Sequence, residues 1–289
     1  MRVIVVLFLL LVGGNAFAKS AELELFPYVK HLAVESDAEH VIGSFVLGSE
    51  IFAKVADDFS DMRIVDDAGV EIPFLIRAKT GGSNVVSNRV NDFRVHTDGS
   101  RTIIAFSASR EPITGIKVFA ASENFSRAIK IEGRERDGDA FRERLRGTYS
   151  YITRGDVLRD NRSIHLRHSM RCSEWRITID NKDSPELDIT GVTLIEKVYE
   201  GIFVNDNPGA YRLFYGGGEA NKPRYDVGAI LAGGHSCPVI YRLSEELIND
   251  EFNKSAWHLR IGGRVILTIA MLLMVVALGW GIVVASRQV

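Results

Sequence analysis

At 289 residues the chain is long enough for two domains, each burying its own core, and 46% apolar with 25% charged residues excludes a disordered or collagen-like chain. A formal net charge of −2 excludes general attraction to nucleic acid. The charge is uneven, with 11 basic against 16 acidic residues over 19–126 and 13 against 8 over 127–176, which favours a change of domain near 110–126.

Taken in chain order, the first element is an apolar run over residues 3–12, after Arg2 and before Ala16-Phe17-Ala18. It is too short to span a bilayer and ends in a small-residue cleavage pattern, so residues 1–18 read as a secretory signal peptide. Beyond it the periodicity is mostly two. Residues 61–77 form two β-rich runs around Asp67-Ala68-Gly69, a hairpin, with Pro73 favouring an edge or bulge. Runs 101–107 and 113–120 are further strands, separated by Glu111-Pro112. Runs 128–136 and 140–150 flank Asp137-Gly138-Asp139, a second hairpin signal. Residues 175–180 and 192–199 alternate around the turn chemistry of 181–185, and 211–215 is a strand ended by Gly216-Gly217-Gly218. Residues 225–231 and 244–252 each suit a turn or two of helix, the second with Ser244 as N-cap and Glu245 and Glu246 in its first turn.

The last element is residues 265–285, a run of 21 without a charge. At about 1.5 Å per residue it gives roughly 30 Å of helix, enough to cross the hydrocarbon core. Arg260 and Arg264 precede it and only Arg287 follows, against the positive-inside bias; the leader decides the orientation. No ionisable residue lies within the run, so it reads as an anchor rather than a transport path. The fold expected is all-β, with two β-sandwich domains and one C-terminal transmembrane helix. The divisions are a leader at 1–18, a first sandwich at 19–110, a second at 111–243, a juxtamembrane connector at 244–264, the helix at 265–285 and a cytoplasmic tail at 286–289. One continuous sandwich is the alternative.

Three segments carry a resemblance. They are Phe52-Ala53-Lys54-Val55 followed by residues 57–73, then residues 175–189 from Trp175 onward, then Tyr211-Arg212-Leu213-Phe214-Tyr215-Gly216-Gly217 with Pro223-Arg224-Tyr225-Asp226. In that order they resemble a family of bacterial envelope proteins with a signal peptide, a discoidin-like (galactose-binding-like) β-sandwich region and a terminal membrane helix. The resemblance covers roughly residues 50–230. It implies ligand binding by loops at one end of a sandwich and carries no reaction, and fold by itself does not assign function.

Tyr211, Tyr215, Arg224, Tyr225 and Asp226 surround the glycine run. Aromatic faces with a guanidinium and a carboxylate suit a sugar, whose C–H face packs on rings while its hydroxyls take charged partners. The plainer reading makes the tyrosines core. Glu219 after the glycines would repel a phosphate, so no nucleotide cradle is expected. Arg134, Arg136, Arg142, Arg144 and Arg146 share faces of the second hairpin, but interleaved Glu135, Asp137, Asp139 and Glu143 favour a self-paired surface over an anion site. His165, His168, Cys172, His235 and Cys237 have zinc-ligating atoms at unsuitable spacing, so no metal and no cofactor is expected. Cys172 and Cys237 suit one disulfide in an oxidising compartment, with two buried thiols as the alternative. No familiar nucleophile motif is present. The function expected is a membrane-anchored binding or scaffold protein of the bacterial inner membrane, its main region periplasmic, with a glycan or an envelope protein as partner and no nucleic acid. The alternative is an envelope carbohydrate-active hydrolase using the acidic residues near the glycine loop.

Overall fold

The period-two pattern produces strands almost throughout. The computed structural model describes residues 23–35, 42–80, 84–204, 210–218, 220–226 and 238–252, with Gly228, Leu231 and Met271. The leader, His235, Cys237 and the run 265–285 apart from Met271 lie outside the described residues. Among the described residues no helix is long and apolar enough to cross a membrane.

The chain first lays down β1 (Tyr28–Val34), β2 (Ile42–Val46), the single turn of α1 (Ser49–Phe52), β3 (Met62–Val65), β4 (Glu71–Ile72) and β5 (Phe74–Ala78). It then builds β6 (Val85–Arg89), β7 (Phe93–Asp98), β8 (Arg101–Ser107), β9 (Ile113–Ala120), β10 (Phe125–Arg134), β11 (Arg142–Arg154), β12 (Val157–Asp160), β13 (Ser163–Met170), β14 (Glu174–Asp180) and β15 (Ile189–Lys197). It returns with β16 (Tyr199–Val204), β17 (Tyr211–Tyr215), β18 (Val239–Leu243) and β19 (Leu247–Ile248).

The first and last groups share one nine-stranded sheet in the order β4-β3-β17-β1-β18-β2-β16-β5, with β19 also on β1. Its two end strands, β4 and β5, are separated in sequence by Pro73 alone. Residues two apart in a chain lie within about 7 Å, so the sheet rolls until its ends meet at a seam. Pro73 suits the seam because it has no N–H to offer a ladder. The sequence expects a sandwich here; the structure has a rolled sheet around one core that includes Phe45, Met62, Ile64, Phe74, Phe203, Tyr211, Tyr215 and Tyr241. Two glycines make room for that core. Gly43 pairs with Phe203 and Gly201 with Phe45, and each ring lies over its glycine. A Cβ on Gly201 would sit 2.2 Å from the Phe45 ring.

The middle group is a sandwich. A six-stranded sheet, β12-β11-β10-β14-β8-β7, faces a four-stranded one, β13-β9-β15-β6. Alternation on β14 points Trp175, Ile177 and Ile179 inward, where they meet Ile116, Val118, Val192 and Leu194 of the opposite sheet in one buried cluster. The Tyr149 hydroxyl donates to the Val118 carbonyl at 3.3 Å, stitching the layers. The two expected hairpins are present, with Ile64 opposite Ile72 and Ile131 opposite Leu145. The pairings cross the expected divide at 110, since β8 pairs with β14 from Glu174↔Ser107 to Asp180↔Arg101, and β16 to β19 return to the first sheet. The sandwich is an insertion in the rolled sheet, and the described residues through Asn249 belong to one compact unit.

Residues 244–252 differ from the sequence expectation of a helix. Leu247 and Ile248 pair with Val29 and Tyr28 of β1. Ser244 does not act as an N-cap: its hydroxyl accepts from the His31 N–H at 2.9 Å and donates to the Glu245 carbonyl at 2.8 Å. The Asn249 amide donates to the Leu23 and Phe26 carbonyls, both at 2.8 Å. An unpaired stretch of β1 edge outweighs a weak local propensity. Of residues 225–231, only 225, 226, 228 and 231 are described.

Candidate ligand cleft

The rolled sheet and the sandwich meet at α1. The end of α1 and the turn after it leave the carbonyls of Phe52, Val55 and Ala56 to find partners, and two arginines from sandwich loops supply them. Arg171, between β13 and β14, donates from Nη2 to the Phe52 carbonyl at 2.7 Å and from Nη1 to that of Ala56 at 2.9 Å. Its Nη2 also reaches the Val55 carbonyl at 3.2 Å, and its Nε donates to the Arg110 carbonyl at 3.0 Å. Arg110, between β8 and β9, donates to the Val55 carbonyl at 3.2 Å and to Asp57 Oδ1 at 2.5 Å. Burial pulls the Arg171 guanidinium below the usual arginine range, though arginine stays charged.

Backbone strain gathers at the same junction. Among the described residues, Phe59 (φ 55°), Arg110 (φ 61°), Asn124 and Lys182 are the non-glycine residues with positive φ. A left-handed bulky residue costs about 1–2 kcal/mol and persists only when its surroundings hold it. Phe59 is held by rings: Tyr199 lies 5.7 Å away and tilted by 42°, and Phe52 lies 6.3 Å away edge-on.

Beside these rings the junction opens a cleft of about 320 Å³, lined by Asp57, Phe59, Glu135, Arg144, Ser169 and Tyr199, with Arg171 and Cys172 deeper in. Arg144 pairs with Glu135 at 2.9 Å, and Asp57 also lies 3.4 Å from Arg171. The cleft thus brings two aromatic side chains together with two carboxylates and several guanidinium donors, with the Arg171 guanidinium lying over the Phe59 ring at 5.3 Å. That combination suits a polyhydroxylated ligand: rings take its C–H faces, carboxylates accept from its hydroxyls and guanidiniums donate to its oxygens. Cys172 is a buried, free thiol, and desolvation pushes its ionisation up, so it is a packing residue rather than a thiolate nucleophile. Cys237, its expected disulfide partner, is outside the described residues.

The residues singled out around the glycine run do not converge on one surface. Tyr211 and Tyr215 are buried, on the core face of β17. Tyr211 meets Phe203 edge-on at 4.9 Å. Tyr215 stacks on Tyr28 at 5.6 Å and donates to Glu246 at 2.6 Å, and burial followed by that bond pushes its phenol up. Tyr225 is half-buried against Phe74 and donates to Glu71 at 2.6 Å, while Arg224 and Asp226 are exposed. The period of two on β17 is why: residues 211, 213 and 215 share the inward face.

The arginine hairpin is self-paired in part: Arg144 bonds Glu135 and Arg146 bonds Glu143 at 2.6 Å within it, while Arg134 bonds Glu174 of β14. No group of histidines, cysteines and carboxylates among the described residues could hold a metal ion. The cleft residues escaped the sequence reading. The hairpin's Arg144 and Glu135 were singled out, but 142 positions separate Asp57 from Tyr199, and no local pattern joins them.

No family model matches the chain, and no curated protein matches it. Among solved structures, one described as "CpGH89CBM32-6 produced by Clostridium perfringens" overlaps 43% of this chain and 93% of its own, at 14% identity and a TM-score of 0.26. The C-terminal domain of a chitobiase from Bacteroides fragilis overlaps 48% of this chain and 95% of its own, at 17% identity and a TM-score of 0.27. At these scores neither overlap carries an argument for this chain.

Proposed function

We propose that this chain is a membrane-tethered, extracytoplasmic binding protein of a bacterial envelope, with a discoidin-like sandwich, and that the cleft at the junction takes a glycan. The observation that carries the ligand class is the cleft itself, lined by Phe59 and Tyr199 together with Asp57 and the Glu135–Arg144 pair. The tether and the location rest on the apolar runs at 3–12 and 265–285.

The test is glycan-array binding of the full-length protein in detergent, beside Tyr199→Ala. Removing one aromatic wall of a sugar site is expected to weaken binding at least tenfold. Unchanged binding by Tyr199→Ala, or no glycan bound by the parent protein, overturns the cleft assignment. Membrane fractionation before and after deletion of 265–285 tests the tether: the parent is expected in the membrane fraction and the deletion in the soluble one.

A further inference from the structure

The Phe59 ring has a second recess beside it. This one measures about 220 Å³ and lies on the rolled sheet, walled by Phe74, Ile76, Pro223 and Tyr225. Its rim carries Asp58 and Lys222, which approach to 3.5 Å and are both well exposed. Asp57 therefore edges one recess, Asp58 the other, and Phe59 lines both. The turn that separates them is well determined: the Phe59 N–H donates to the Ala56 carbonyl at 3.2 Å, and Asp58 Oδ1 accepts from the Ser60 N–H at 3.1 Å. Tyr225 is likewise fixed, by its bond to Glu71 and its packing 5.6 Å from Phe74.

The two recesses differ in chemistry. The junction cleft is edged by carboxylates and guanidiniums, whereas the second recess is mainly ring and aliphatic surface with one ion pair at its mouth. Ligand pockets begin at about 300 Å³. The second recess is below that bound and the first barely reaches it, so neither gives a sizeable ligand much enclosure alone.

We infer that they are consecutive subsites of one groove bent round Phe59, and that the ligand is an extended oligosaccharide rather than a single sugar. One sugar unit presents its hydroxyls to Asp57, Glu135 and Arg144. A neighbouring unit lays its apolar face on Tyr225 and Pro223. Phe59, with its left-handed backbone, is the wall they share.

This rests on the glycan reading above, and the experiment separates the two. Titration calorimetry of the full-length protein in nanodiscs, with cello-, chito- and galacto-oligosaccharides of one to six units, reads Kd against length. The expected result is a gain of tenfold or more between one unit and three for at least one series, then a plateau. Tyr225→Ala is expected to abolish that gain, and Lys222→Glu, at an exposed position that does not threaten folding, to reduce it severalfold. A saccharide that binds with a Kd independent of length overturns the extended groove and leaves the glycan cleft standing. A gain with length that survives both substitutions also overturns it. Binding of no saccharide at any length overturns the glycan reading and this inference with it.

Discussion

Asp61 shows how much one buried side chain is constrained. It is 2% exposed, at the turn after Phe59, and its Oδ1 accepts from the Ala56 N–H at 2.9 Å. Desolvation dominates and raises its ionisation above the ordinary aspartate value of 3.8. A raised carboxyl means the folded state holds its proton more tightly than the unfolded state does. The stability this contributes is complete below pH 3.8 and is lost as pH rises through the elevated folded value. Asp61→Asn keeps the acceptor oxygen and removes the charge. It is expected to raise the melting temperature at pH 7, with the gain shrinking towards pH 3; thermal melts across that range check it. A gain that stays constant with pH would show that charge is not the cause.

Among the elements, β2 and β16 depend on glycines that a pattern of strand propensity would count against them. Gly43 and Gly201 are required because Phe203 and Phe45 lie across them, and Gly201→Ala would drive its Cβ into the Phe45 ring. Overpacking of this kind costs about 1–3 kcal/mol. Urea denaturation should show that loss in Gly201→Ala, and the double variant with Phe45→Leu should recover part of it. Strand β19 is held from outside its own sequence. Asn249→Ala would strip the Leu23 and Phe26 carbonyls of a donor, at about 1–3 kcal/mol. Hydrogen exchange at Leu247 and Ile248 should rise in that variant while the sandwich amides stay protected.

For the molecule as a whole, Arg171 links rolled sheet and sandwich, because one guanidinium serves the carbonyls of Phe52, Val55 and Ala56 and reaches that of Arg110. Arg171→Met leaves the Phe52 and Ala56 carbonyls without this donor while Val55 keeps Arg110, and an acceptor left unsatisfied costs about 1–3 kcal/mol. Each body has a core of its own, so the loss should appear as uncoupling. Calorimetry is expected to resolve one transition in the parent protein and two in Arg171→Met. A single transition that merely moves down would mean the bodies are coupled elsewhere. The glycan binding proposed above should weaken as well, since Arg171 lines the same cleft as Asp57 and Phe59.

Period-two alternation and turn residues are local properties, so the sequence by itself determined the all-β class, the hairpins at Asp67-Ala68-Gly69 and Asp137-Gly138-Asp139, and the inward faces of β14 and β17. The self-paired arginines were legible too, because their carboxylate partners alternate with them along the same hairpin. Strand order was not legible: β8 chooses β14 across more than sixty residues, and β4 and β5, neighbours in the chain, stand at opposite ends of the sheet order, so the sheet must close on itself. The binding cleft depends on that closure. Its aromatic wall pairs Phe59 with Tyr199, and its charges come from Asp57 after α1 together with Glu135, Arg144 and Arg171 of the inserted sandwich. Only the tertiary structure decided where the cleft lies, because the free energy that brings these residues together is spread over two buried cores and a pair of arginine links, none of which is written in any single stretch of chain.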